Sequence, residues 1–148
     1  MPIKSFRGLI ADAAIDSISL HTNDGSTGYR IKKFELFPYA PGGSGTNSEH
    51  TVQIWTVPQT SIDIVTDFSD QTLVGAAMMA VSASGVANPS ILTVVFDNMT
   101  FNQDIYITHK ESAASSEPIN YYIELEQIKL DLSENTVATL KDIRNITS

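Results

Sequence analysis

Asp104-Ile-Tyr-Ile-Thr-His109 and Ile119-Asn-Tyr-Tyr-Ile-Glu-Leu125, separated by the polar loop Lys110 to Pro118, decide the class of this chain. In the first arm Ile105 and Ile107 share one face, and Tyr106 and Thr108 share the other. That is the period-two spacing of a half-buried strand. In the second arm Ile119, Tyr121, Ile123 and Leu125 share a face, after which the apolar set moves to Ile128, Leu130 and Leu132. A strand cannot change faces without an extra residue, so the pattern predicts a β-bulge near Glu126-Gln127. The hairpin across 104–132 makes the chain all-β.

Working outward, the same alternation recurs at short intervals. Ile3 to Ile10 places Phe6, Gly8 and Ile10 on one face and reads as a strand or as an N-terminal arm over 1–12. Ile18 and Leu20 face inward from the next segment, and Asn23-Asp24-Gly25 supplies a turn. From Tyr29 to Tyr39 the apolar face changes from Tyr29/Ile31 to Phe34/Leu36 around Lys32 and Lys33, which predicts a second bulge. Val52 and Ile54 oppose Trp55 in the segment that Pro58 ends. Ser61 to Phe68 alternates with Ile62, Ile64 and Phe68 inward. Leu73 to Val81 can be read as helix or strand and is taken as a strand, and Ile91 to Phe96, apolar on both faces, reads as a central strand. Ser133 begins a short helix over 133–145, whose thin stripe of Val137, Leu140 and Ile143 needs a surface to lie on. The sum is one domain over 1–148, an antiparallel β-sandwich of jelly-roll type with eight to nine strands and a short C-terminal helix.

Composition narrows the function classes. Seventeen acidic against nine basic residues give a net charge of −8, which argues against a nucleic-acid or anionic-membrane surface. The absence of cysteine excludes disulfides, thiolate catalysis and Cys-based metal sites. No apolar run is long enough to span a bilayer, and the first ten residues lack a signal-peptide core.

No residue set has catalytic spacing. His21, His50 and His109 fall on separate predicted strands without a local ligand pair, so solvated strand-end positions are expected rather than a metal site. Asp63, Asp67, Asp70, Asp97 and Asp104 lack EF-hand spacing and fit turn caps. Glu124 and Glu126 share a face with Asn120 and Tyr122, which suits a solvated or inter-subunit face better than a glycosidase pair. Pro41 to Gly45 lacks the Lys-Ser/Thr ending of a phosphate loop. No cofactor and no catalytic residue is expected. Trp55, Tyr106 and Tyr122 point outward, and with Val137, Leu140 and Ile143 they form the candidate interface set.

Several segments carry a resemblance. Tyr29-Arg-Ile-Lys-Lys-Phe34, Ser61-Ile-Asp63 with Thr66 to Leu73, Phe101 to His109, Asn120 to Leu125 and Ala138 to Asn145 resemble small virion structural proteins of marine tailed bacteriophages. The resemblance implies a β-sandwich particle component without enzymatic activity, located in the virion after synthesis in the host cytoplasm. A capsid decoration or stabilising protein, a homo-oligomer such as a trimer bound to the major capsid protein or other virion proteins, is the expected role. The alternative is a tail- or fibre-associated jelly-roll module that binds host-surface carbohydrate, with Trp55 and nearby tyrosines lining one shallow groove.

Overall fold

The computed structural model describes residues 2–22, 25–40, 47–81, 91–113 and 115–131. They form eight strands: β1 (Ile3–Ile10), β2 (Ala14–Ile18), β3 (Thr27–Pro38), β4 (Ser48–Trp55), β5 (Leu73–Val81), β6 (Ile91–Phe96), β7 (Ile105–Glu111) and β8 (Ile119–Lys129). Ile3–Ile10 is thus a strand, paired with β8, rather than a loose arm. Two antiparallel sheets result, one in the order β1-β8-β3 and the other β2-β7-β4-β5-β6. The all-β sandwich expected from the sequence is the fold observed. The C-terminal helix expected over 133–145 lies outside the described residues.

A jelly roll is a long hairpin rolled up, so it pairs the first strand with the last, the second with the seventh, the third with the sixth and the fourth with the fifth. Here β1 pairs with β8, β2 with β7 and β4 with β5. The third pairing is missing among the described residues: β6 stays on β5, and only Phe101, beyond its end, bridges Tyr29 of β3. One sheet therefore has five strands and its partner three.

The core lies between the sheets. Ile119, Tyr121, Ile123 and Leu125 of β8 are buried and face Ile105 and Ile107 of β7, with Val52 and Ile54 of β4 beside them. Each such side chain contributes about 1.5–3 kcal/mol of transfer free energy. The bulge expected at Lys32 is present: Ile31 pairs with Leu125, Lys33 pairs with Glu124, and Lys32 is the extra residue. It lets Tyr29 and Ile31 on one side and Phe34 and Leu36 on the other all point into the core.

The bulge expected at Glu126-Gln127 is absent. The pairing of β8 with β3 runs unbroken through Glu126↔Arg30 and Gln127↔Tyr29 to Lys129↔Thr27. The parity of β8 does not change: Gln127 lies opposite the inward Tyr29, Ile128 opposite Gly28, and Leu130 comes only after the strand has ended at Lys129. Leu130 donates its N–H to the Ser26 carbonyl and folds over Gly28, where a Cβ would sit 2.9 Å from Thr100 Cγ2 and 3.0 Å from Leu130 Cδ2.

Tyr121 joins the two sheets by a polar tie. Its hydroxyl donates to Asp16 Oδ2 on β2, and burial together with that carboxylate pushes the phenol well above its ordinary value. Tyr121→Phe should lower unfolding free energy by about 1–3 kcal/mol, because Asp16 loses its donor at a partly buried position. Urea denaturation measures it; a change below a few tenths would show that water replaces the hydroxyl.

Candidate interaction surfaces

The outer face of the five-stranded sheet carries Trp55 and Tyr106, which are register partners across β4 and β7. Trp55 Nε1 donates to Thr108 Oγ1 at 3.1 Å, so the indole is held against the sheet. The segment between β4 and β5 crosses this face: Gln53 Nε2 donates to the Val65 carbonyl at 2.9 Å and reaches Thr66 Oγ1 at 3.0 Å. Gln53 and Thr108 are buried beneath it. This segment was expected to be a strand with Ile64 and Phe68 inward. It is instead an irregular loop with Ile64, Val65 and Phe68 exposed. Its carboxylates explain why: Asp67 Oδ1 accepts from the Ser69 amide and hydroxyl, and Asp70 Oδ1 does the same for Thr72. Those local bonds compete with a sheet ladder. The Ser69 bonds also hold the Asp67 carboxyl below its ordinary range.

Tyr122 lies on the opposite outer face, that of the three-stranded sheet, and does not join Trp55 and Tyr106. Val137, Leu140 and Ile143 lie outside the described residues. Across this second face runs a depression of about 640 Å³. Asn120 and Tyr122 of the central strand β8 form its floor. Arg7 and Leu9 of β1 rise on one side, Glu35 and Phe37 of β3 on the other. Tyr122 donates to Glu124 Oε2 at 2.7 Å. Glu126 takes Arg30 at 2.8 Å and Lys32 at 3.4 Å, and those cations hold its carboxyl below its ordinary range. Both members of the Glu124/Glu126 pair are therefore engaged with neighbours.

A third surface is β6. The sequence Ile91-Leu-Thr-Val-Val-Phe96 suits a central strand, yet β6 is an edge with only β5 beside it among the described residues. Leu92 is 46% exposed, Val95 47% and Phe96 36%. By register Leu92 and Phe96 share the inner face with Met79 and Gly75, and Val95 the outer face with Ala76. Among the described residues apolar side chains on both faces of this uncharged strand are thus exposed, although Val94, between Leu92 and Phe96, packs against the core.

The histidines divide. His21 is exposed and its Nδ1 lies 2.7 Å from Asp104 Oδ1. His50 and His109, expected as solvated strand ends, are instead buried and stacked, with ring centroids 5.0 Å apart. His109 Nδ1 faces the carbonyls of Ile10 and Ala11, each at 3.0 Å, so that nitrogen carries the proton. Its Nε2 is then an acceptor, and His50 Nδ1 donates to it at 2.8 Å. Burial and the neighbouring His109 pull His50 down to about 4, and burial lowers His109 as well. Glu111, also buried, accepts the amides of Glu49, Ala113 and Ser116, while its own amide donates to Asp12. The four side chains lock the corner where the chain passes from β1 to β2. The histidine nitrogens that meet here are spent on each other and on backbone, and among the described residues no group of three His, Cys, Asp or Glu is placed to hold a metal ion. No helix among the described residues is long and apolar enough to cross a membrane.

No protein-family model matches the chain, and no curated protein matches it significantly.

Proposed function

We propose that this chain is a structural protein of a tailed-phage virion, a capsid decoration protein that attaches to the outer shell through protein–protein contacts. The observation that supports this reading best is β6. An uncharged edge strand with apolar side chains exposed on both faces is a template for another chain, and soluble proteins ordinarily protect such edges with charge, proline or cover. Strand addition by a neighbouring subunit, a second copy or the major capsid protein, would pair the backbone edge that no described strand pairs and bury Leu92, Val95 and Phe96 together. The net charge of −8 keeps the unassembled protein soluble and leaves the uncharged edge as the natural point of contact.

The test is reconstitution on particles stripped of this protein, followed by a cryo-EM map. Wild-type protein is expected to add density on the capsid lattice, and the Leu92→Lys/Val95→Lys variant to bind at least about tenfold more weakly. Both positions are surface-exposed, so the variant should keep its melting temperature. Density only at a tail or fibre, a monomer that fails to bind particles, or equal binding by the variant would overturn the decoration reading.

A further inference from the structure

We propose that the depression on the outer face of the three-stranded sheet is a saccharide site that takes a neutral pyranose. Its lining is ordered by strand register in two rows. Arg7 and Glu35 both pair with Tyr122, one from each side, and Leu9 and Phe37 both pair with Asn120. The upper row is guanidinium, phenol ring and carboxylate; the lower is aliphatic, amide and phenyl. The walls stand two inter-strand spacings apart, about 10 Å between backbones. A volume of about 640 Å³ falls within the range of small-molecule sites.

The chemistry of a sugar ring matches this set. A pyranose has an apolar C–H face, for which an aromatic side chain is the usual complement, and a rim of hydroxyls that both donate and accept. Phe37 is 64% exposed, a large ring with little else to pack on. Asn120 offers an amide donor and an acceptor, Glu35 an acceptor, and Arg7 a fork of donors, so every hydroxyl valence can be met. The Tyr122 hydroxyl is held by Glu124, which fixes the ring at the floor of the groove. The charge pattern selects the class. The charges around the groove balance, Arg7 and Lys33 against Glu35 and Glu124, with Lys33 Nζ 3.5 Å from Glu35 Oε1, so neither an anionic nor a cationic ligand gains overall, and a net charge of −8 further disfavours acidic sugars. A neutral polyol is the complement. The site lies on the sheet opposite to β6 and is independent of where in a particle the chain resides.

The experiment is an amide NMR titration of the full chain with glucose, galactose and N-acetylglucosamine, with glycerol as the polyol control. At least one sugar should give saturable shifts around Asn120 and Tyr122, with a Kd of about 1 mM, as expected for a shallow open site. Phe37→Ala and Asn120→Ala should each weaken it by about tenfold, and Leu92→Lys on the other sheet should leave it unchanged. Phe37 is exposed enough that its variant stays folded and carries the test alone if Asn120→Ala does not. Absence of saturable shifts with all three sugars, an equal response to glycerol, or unchanged affinity in the Phe37 variant would overturn the proposal.

Discussion

His109→Leu is expected to destabilise the protein by about 3–5 kcal/mol, a large share of a small domain's stability. The ring bridges three groups in a place without solvent. Its Nδ1–H serves the carbonyls of Ile10 and Ala11, and its Nε2 accepts from His50. Leucine fills a similar volume but leaves the His50 donor and two carbonyls without their partner, and each orphaned buried group costs about 1–3 kcal/mol. His109→Gln keeps an acceptor toward His50 and should lose about half as much. The double variant His50→Leu/His109→Leu should cost less than the sum of its singles, because removing both partners leaves fewer unsatisfied groups. Urea denaturation of the four proteins reads all of this. A loss below about 1 kcal/mol for His109→Leu would mean that water enters the corner and the pair is not a lock.

Most strands were legible because burial writes a period of two wherever one face meets the core. β7 and β8 show it plainly, and the switch at Lys32 was readable since apolar pairs on either side demanded opposite parity. The same logic failed at Glu126-Gln127, where β8 keeps its register to Lys129 and Leu130, beyond the strand, returns to cover Gly28. Alternation alone cannot distinguish a bulge from a strand end. It failed again over Ser61 to Phe68, where alternating isoleucines sit in a loop whose aspartates bond their own backbone. Short-range polar bonds override a weak pattern there.

The sites were less legible, for a physical reason. Which outer faces coincide depends on pairing between distant strands, so Tyr122 could not be separated from Trp55 and Tyr106 by sequence alone. The groove needs Arg7, Glu35 and Tyr122 in one row, which only the order β1-β8-β3 provides. The buried histidines did leave a signal. His50 has the parity of Val52 and Ile54, and His109 that of Ile105 and Ile107, so both sat on inward positions of their strands. Treating histidine as polar by default hid it. β6 is the instructive mismatch: its composition is that of a central strand, and among the described residues it is an edge with Leu92, Val95 and Phe96 exposed.

Stability should fall as the medium is acidified from pH 6.5 to about pH 4, by roughly 3 kcal/mol from His50 alone. The sign follows from proton uptake. In the unfolded chain this imidazole titrates at its ordinary 6.5, whereas in the folded protein burial and His109 hold it near 4. Between those values the unfolded state binds more protons, so acid favours unfolding; the contribution is whole above 6.5 and spent below about 4. A separation of that size corresponds to roughly 3 kcal/mol at about 1.4 kcal/mol per unit. His109 is shifted the same way and adds to the slope, while Glu111 and Asp12, the carboxylates facing the pair, moderate it by favouring the charged rings. The carboxylates held low by their own partners, Glu126 by Arg30 and Asp104 by His21, begin to lose their contributions only near the acid end of this window and continue below it, so the upper part of the window reports the histidines. His50→Asn isolates the histidine term. Its amide can occupy the place of Nδ1 and still donate to His109, but it cannot titrate, so the variant should decline less steeply than the wild type over this window, keeping only the slope that His109 supplies. Parallel pH profiles for the two proteins would remove His50 as a cause of the acid sensitivity.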